Sequence, residues 1–118
     1  MKDLAMTQRV NVLCVRTADG RIAPLAGEQL DIRKVFDNAL PVFEREEAGV
    51  SFLARYIPPS PDEFFVTRYE AIGNVREFAR QHNLQLWLDP QCDFNGNLIP
   101  ESGIKGDPDR IASIVLKR

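Results

Sequence analysis

Hydrophobic residues between positions 60 and 89 recur first at helical spacing and then at the spacing of a strand. Ser60, Pro61 and Glu63 form a helix-start signal, because Ser can cap the first turn, Pro suits the first helical position and Glu can complete a capping box. A second start signal at Thr67 leaves open a later helix, preceded by a short strand over 64–66. The helix is predicted to end at His82, and its apolar stripe consists of Phe65, Tyr69, Ile72, Val75 and Ala79.

Three other stretches have the alternation that β-strands require. Residues 9–16 are apolar on both parities, which predicts a central strand. The Asp-Gly pair at 19–20 predicts a hairpin turn into a short return strand over 22–25, where Pro24 favours the edge of the sheet. Residues 84–88 place Leu at every second position and predict a strand with those Leu side chains on its core face.

The segment between residues 31 and 57 is predicted to be a helix followed by a strand. Asp31 can cap a helix whose apolar stripe runs to Phe43, although Pro41 must kink that helix or divide it. Gly49 is placed to end the helix. The stretch from Val50 to Ile57 alternates and predicts a strand.

The last part of the chain completes the predicted fold. Residues 91–109 are rich in Gly, Pro and Asp and predict a long surface loop, with a small hairpin at Asn95-Gly96. Residues 110–116 predict a last strand. The order ββαβαββ predicts an α+β two-layer sandwich, with a mixed or antiparallel sheet of four to five strands and two main helices on one face. We expect one domain over 1–118, with a loose terminus at 1–7.

Composition narrows the classes of function and the compartment. The net charge of −2 and the pI near 5.4 argue against a dedicated nucleic-acid binder, which is usually basic. No run is long and apolar enough to span a membrane, and no apolar signal segment follows Met1. Two cysteines, Cys14 and Cys92, are too few for a disulfide framework, so a reducing cytoplasm is predicted.

The loop after the 84–88 strand is the best candidate for chemistry in the sequence. Aligned on Gly96, it resembles the start of an EF-hand calcium loop, which would use carboxylate and amide oxygens as ligands. Gln91 and Ser102 stand where that family has acidic ligands, so the alternative is that the polar side chains form local turns. No cofactor is predicted, and the candidate metal ligands are Asp89, Asp93 and Asn95.

A nucleophilic enzyme would need Cys92 close to His82, the single histidine, with Asp89 as the orienting carboxylate. Nothing in the sequence places these side chains together. His82 at a helix end has a simpler interpretation, because a solvated cation is favourable there.

Two features could indicate nucleic-acid binding. The segment Gly103-Ile104-Lys105-Gly106 has the form of the GxxG loop of KH domains, although that loop joins two helices and an ordinary turn is the simpler interpretation here. Three basic residues on the predicted central helix could form an anion-binding face, but acidic residues interleave with them, as on a solvated helix. These basic residues are Arg68, Arg76 and Arg80.

We therefore expect a small, non-catalytic, cytoplasmic and bacterial protein that acts through a protein partner or through self-association along an exposed strand edge. One alternative is a small-molecule-binding module with its pocket between sheet and helices, under the 91–109 loop. The others are a small hydrolase-like enzyme using Asp and His, and a nucleic-acid-binding accessory protein. The residues expected at a ligand or partner surface are Trp87, Phe94, Tyr56, Arg76 and Arg80, with core packing as the alternative for Trp87.

Overall fold

A computed structural model of the chain describes residues 6–16, 20, 22–24, 36–56 and 64–117. Within these residues the chain forms six strands and three helices. The strands are β1 (Arg9–Arg16), β2 (Ile22–Pro24), β3 (Ala39–Phe43), β4 (Phe64–Ala71), β5 (Gln85–Leu88) and β6 (Ile104–Gly106). The helices are α1 (Glu46–Arg55), α2 (Ile72–Gln81) and α3 (Pro108–Lys117).

The described strands form one mixed sheet that is built around β1. Strand β4 runs antiparallel to β1 along its whole length, from Arg9 opposite Ala71 to Arg16 opposite Phe64. The other edge of β1 is shared by β3 and β2, which are both antiparallel to it. Strand β3 pairs with β5 in parallel, and β6 pairs with β5 antiparallel. The sheet therefore has five positions across its width. In order, they are occupied by β4, by β1, by β2 and β3 end to end, by β5, and by β6.

Helices cover both faces of this sheet, because β1 is apolar on both. Val12 and Cys14 lie under α2, together with Leu40 of β3. The alternating side chains of β3 and β4 point the other way, where Gly49 of α1 approaches Phe43 and Thr67. Helix α3 packs beside α2 and against β5 and β6. The α+β class is thus confirmed: α2 and α3 share one face, and α1 lies on the other.

Three strand predictions are confirmed in position. β1 spans the predicted 9–16, β2 occupies 22–24 and β5 occupies 85–88. Val10, Val12, Leu13 and Cys14 are all buried, as expected for a central strand. In the part of the chain that the structure describes, no helix has both the length and the apolarity needed to cross a membrane.

Residues 39–43 are a strand, whereas their pattern predicted part of a helix. All five are buried, so the same apolar run satisfies a helical stripe and a buried strand, and pairing with β1 and β5 decides between them. Pro41 has no backbone N–H to donate, and it is tolerated because the pairing between β1 and β3 ends at Val42. Beyond that point β1 pairs with β2 instead. The predicted helix start at Asp31 lies outside the described residues.

The predicted strand from Val50 to Ile57 is wrong, because residues up to 55 belong to α1. Phe52 and Tyr56 are four residues apart, a spacing that puts them on one face of a strand and also on one face of a helix. In α1 and its C-cap their rings stack, with centroids 5.1 Å apart. Gly49 was expected to end a helix but lies within α1. A Cβ there would sit 3.0 Å from Cγ2 of Thr67, so glycine lets the helix approach the sheet closely.

Strand β4 occupies the first half of the helix predicted from Ser60, and the alternative of a short strand over 64–66 is nearer to the structure. Residues 64–71 form a strand because the backbone N–H and C=O groups on this edge of β1 need hydrogen-bond partners. The aromatic and β-branched residues of this segment also favour a strand. The helix begins only at Ile72. Asn83 follows its end with φ of 55°, the left-handed conformation predicted for it. The predicted cap, 60–63, lies outside the described residues.

The C-terminal segment is α3, so the predicted last strand over 110–116 is wrong. Pro108 takes the first helical position, and Oδ1 of Asp107 accepts a hydrogen bond from the Asp109 N–H at 2.9 Å, which caps the helix. The predicted long loop is therefore shortened by β6 and α3. Its hairpin turn is present, with Gly96 at φ of 81°.

Candidate functional site: the cleft beside helix α1

Strands β3 and β5 are the parallel pair of the described sheet, and their carboxyl ends open at the same edge. Glu44 follows β3 and Asp89 follows β5. The Glu44 N–H donates to Oδ1 of Asp89 at 3.2 Å, and the Asp89 N–H donates to the Val42 carbonyl at 2.8 Å. In open sheets, the carboxyl ends of parallel strands are the usual place for a ligand. This edge is therefore the expected place for a site.

The backbone at this edge is tightly constrained. Asp89 has φ of 54°, a left-handed conformation that Asp tolerates better than most residues. Gly103 passes directly over it with φ of 65°, and a Cβ on Gly103 would lie 2.2 Å from the Leu88 carbonyl oxygen. The Gln91 N–H donates to Oγ of Ser102 at 2.8 Å. The segment after β5 is thus held against the strand end by close packing and hydrogen bonding.

Helix α1 forms the second wall of a cleft of about 270 Å³, opposite residues 89–92. The helix is favoured by Glu46 and Glu47 in its first turn and Arg55 in its last, which complement the helix dipole. Its cleft-facing residues follow helical spacing along one face. They are Ala48, Ser51, Phe52 and Arg55.

A hydrogen-bonded turn places an aromatic ring beside Arg55, at the rim of this cleft. Oδ1 of Asp93 accepts hydrogen bonds from the N–H groups of Asn95 at 2.9 Å and Asn97 at 3.0 Å. The backbone pairs as well, from Asp93 N–H to the Asn97 carbonyl at 2.9 Å. The side chain of Phe94, at the tip of this turn, is 97 % exposed. The turn therefore presents a large apolar side chain to solvent on a hydrogen-bonded backbone.

Arg55 connects the rim to the cleft. Its guanidinium carbon lies 5.6 Å from the centroid of the Phe94 ring, within cation–π distance. No carboxylate among the described residues forms an ion pair with Arg55. The cleft therefore offers a cation beside an exposed aromatic ring, with the carboxylate of Asp89 among its lining groups.

Cys92 lines the cleft but is not arranged as a nucleophile. Its side chain is 5 % exposed, and burial raises the pKa of the thiol to about 11, with the nearby Asp93 acting in the same direction. The thiol is therefore neutral at physiological pH, and the thiolate is the reactive form. His82 lies before β5 and Cys92 lies after it, so roughly 13 Å of strand separates them. The structure therefore does not place His82 beside Cys92, as a nucleophilic enzyme would require.

Two of the three candidate metal ligands, Asp93 and Asn95, form a hydrogen-bonded turn. Oδ1 of Asp93 already accepts two backbone N–H groups, and Asn95 supplies one of them through its own N–H. No cluster of three or more His, Cys, Asp or Glu side chains suited to a metal occurs among the described residues. Asp89 is bonded to the Glu44 N–H. The structure therefore supports the local-turn interpretation of Asp93 and Asn95.

Two aromatic residues expected at a binding surface pack inward. Trp87 is 1 % exposed, its indole N–H donates to the Ser102 carbonyl at 2.7 Å, and Nζ of Lys105 lies 4.4 Å from its ring. Trp87 thus belongs to the core, which was the alternative for it. Tyr56 is half-buried, and its ring lies 5.5 Å from that of Phe36.

The expected arginine face is divided between two elements. Arg68 lies on β4, whereas Arg76 and Arg80 lie on α2. Nε of Arg76 lies 3.7 Å from Oδ1 of Asp109, and a terminal nitrogen of Arg80 lies 3.6 Å from the same oxygen. Both arginines therefore connect α2 to α3. The GxxG segment, 103–106, contains strand β6 and so differs from the helix-joining loop of a KH domain.

Sequence reasoning identified part of this site and missed the rest. The residues Phe94 and Asp89 were singled out from the loop. Arg55 and Ser51 were missed because their segment was assigned to a strand. The signal that could have found them is the acidic start and basic end of the segment from Glu46 to Arg55, which is typical of a helix.

Comparison of the chain with family models, with curated proteins and with solved structures found no significant match. The function proposed for the chain therefore rests on the geometry and chemistry of its own residues.

Proposed function

We propose that the chain is a non-catalytic binding protein whose α1 cleft holds a short segment of a protein partner. The observation that carries this proposal is the exposure of Phe94 on a hydrogen-bonded turn, with Arg55 against its ring. Aromatic residues and Arg are enriched in the energetically dominant parts of protein interfaces. The two residues therefore form the anchor of the proposed surface.

Preorganisation supports the role of Phe94. An aromatic ring on a mobile loop would lose conformational entropy when a partner ordered it. The side chain and backbone of Asp93 already hold this turn. The ring can therefore be buried by a partner with little further ordering of the chain.

The chemistry of the cleft describes the segment that it would hold. Arg55 suits a carboxylate of the partner, because a guanidinium donates bidentate hydrogen bonds to that group. Phe94 at the rim and Phe52 in the wall suit an apolar side chain. A segment with one acidic and one apolar side chain in close succession would satisfy both features.

Two observations favour a protein partner over the other candidates. Arg76 and Arg80 are engaged by Asp109, which weakens the case for a nucleic-acid surface on α2. The catalytic pairing of Cys92 and His82 is not assembled.

A reducing cytoplasm remains our proposal for the compartment, and it is supported by two buried, unpaired cysteines.

The proposal can be tested by selecting binders from a random peptide library displayed on phage. We expect the selected peptides to combine an acidic with an apolar residue. Phe94→Ser should weaken their binding about 30-fold, the effect of losing a hot spot of about 2 kcal/mol, and Arg55→Gln should weaken it about tenfold. Fluorescence anisotropy with labelled peptides measures both effects.

Matched controls come from the rest of the chain. Tyr69 is 61 % exposed and is stacked by Arg9 at 5.5 Å, so Tyr69→Ser removes a similar pair from another place. Arg80 lies in the last turn of α2 as Arg55 lies in the last turn of α1, so Arg80→Gln is the control for charge. Peptides that bind Phe94→Ser and Arg55→Gln as tightly as the wild type, or a selection without enrichment, would contradict the proposal.

A second candidate function is self-association through β4. This eight-residue strand pairs only with β1 in the described sheet, so its outer edge is a candidate for adding another strand. Size-exclusion chromatography with light scattering tests it over a range of concentrations. A concentration-dependent dimer would support it, and a monomer throughout would exclude it.

A further inference from the structure

The opposite face of the sheet contains a second cavity, between β1 and β3 on one side and α2 on the other. Its volume is about 170 Å³. Its interior is apolar, and all but one of the residues that line it there are buried in the core. These interior residues are Val12, Cys14, Leu40, Val75 and the partly buried Phe78.

Polar residues are confined to the rim of this cavity. The side chain of Arg68 is 53 % exposed, and its Nε lies 3.9 Å from a carboxylate oxygen of Glu70. The other oxygen of Glu70 accepts a hydrogen bond from Nδ2 of Asn74 at 3.0 Å. The rim thus links β4 to α2, and its single positive charge is balanced by its single negative charge.

We propose that this cavity is a binding site for a small, uncharged molecule with one aromatic ring and one hydroxyl group. A space of about 150 Å³ holds a benzene ring, so a cavity of about 170 Å³ that is open at its rim has room for one ring. A hydroxyl at the mouth would reach the polar groups of the rim. Charge balance between Arg68 and Glu70 disfavours a ligand with a net charge.

Phenol and benzoate serve as the probes, because they share the ring and differ in charge. Titration followed by backbone amide NMR of the whole chain should show phenol binding with a dissociation constant of about 1 mM or tighter. The shifts should be largest at Val12, Cys14 and Val75. Benzoate should bind at least tenfold more weakly, because its carboxylate would lose water at a rim whose one cation, Arg68, is already paired with Glu70.

Two variants assign the binding to the cavity. Val75→Phe and Leu40→Phe each place a ring in the space, so each should reduce phenol affinity at least tenfold while the amide spectrum stays that of a folded protein. If one variant fails to fold, the other decides. Unchanged phenol affinity in a folded filling variant would overturn the proposal, and so would an absence of shifts in the wild type. Benzoate binding as tight as that of phenol would overturn the assignment to an uncharged ligand.

Discussion

The α1 cleft and the α2 cavity lie on opposite faces of one sheet and differ in the polarity of their linings. The α1 cleft opens at the carboxyl ends of β3 and β5, is lined by charged, polar and apolar groups together and has an exposed aromatic ring at its rim. The α2 cavity lies over the middle of β1 and β3, has an apolar interior and carries its polar groups only at the mouth. Each has one buried cysteine in its lining.

The difference follows from where each cavity meets the strands. Side chains in the middle of a strand alternate between faces, so the α2 cavity receives the apolar members of β1 and β3. Strand ends expose backbone groups and polar loop residues, and the α1 cleft is built from these. Location in the sheet therefore decides how polar the lining of each cavity is.

Gly103→Ala should give the largest change, because Gly103 closes the edge at which the α1 cleft opens. Its Cβ would lie 2.2 Å from the Leu88 carbonyl oxygen. We expect the free energy of unfolding to fall by about 3 kcal/mol or more, as measured by urea denaturation. Gly20→Ala is the matched control, since φ there is 88° but nothing lies within 4 Å. It should cost only about 1–2 kcal/mol. Equal losses at the two glycines would contradict the close-packed edge.

The reactivity of Cys92 and of Cys14 reports on how far solvent reaches into the α1 cleft and the α2 cavity. Burial raises the pKa of the Cys14 thiol and of the Cys92 thiol, each to about 11 from an ordinary value of 9.0. At pH 8 the thiolate fraction of each cysteine should therefore be about 100-fold lower than that of an exposed cysteine. Because the thiolate is the reactive form, the reaction of each cysteine with a disulfide reagent should be slower by at least the same factor.

The single variants Cys14→Ser and Cys92→Ser separate the two reaction rates. Unfolding in urea should restore the fast reaction in both. A folded protein in which either thiol reacts at the unfolded rate would show that its cavity is open to solvent. Because these pKa values are raised, folding stability from the neutral thiols is present below pH 9 and is lost as the pH rises towards 11.

The smallest predicted effect concerns the rim of the α2 cavity. The hydrogen bond from Asn74 holds the pKa of Glu70 below its ordinary value, and the N–H of Ala71 and the charge of Arg68 act in the same direction. A lowered pKa means that this stabilisation is complete above about pH 5 and is lost as the pH falls through the folded-state value. The melting temperatures of the wild type and Glu70→Gln should therefore converge on acidification. A difference that is constant with pH would contradict this role of Glu70.

The sequence predicted the elements whose pattern had one interpretation. β1 is apolar on both parities between polar ends, and residues 84–88 place Leu at every second position, so both strands were placed correctly. The region from Pro41 to Tyr56 has apolar residues that fit periods of two and of nearly four. Pairing with β1 and β5 and the approach of Gly49 to the sheet decided those cases, and both depend on contacts distant in sequence.

The candidate site was predictable only where its residues lie close together in the sequence. Phe94 and its turn were identified because Asp, Asn and Gly at short spacing indicate local structure. Arg55 joins them only because α1 packs across the sheet edge beside residues 89–92. A site assembled from two segments separated by β4 and α2 cannot be read from either segment alone.

The independence of the two cavities is tested most directly by measuring both ligands against both blocking variants. A selected peptide and phenol are each titrated into the wild type, Phe94→Ser and Val75→Phe. The predicted result is a double separation, in which Phe94→Ser loses the peptide and keeps phenol, whereas Val75→Phe loses phenol and keeps the peptide. Loss of both ligands in one folded variant, or of neither in both variants, would contradict two separate sites on opposite faces of the sheet.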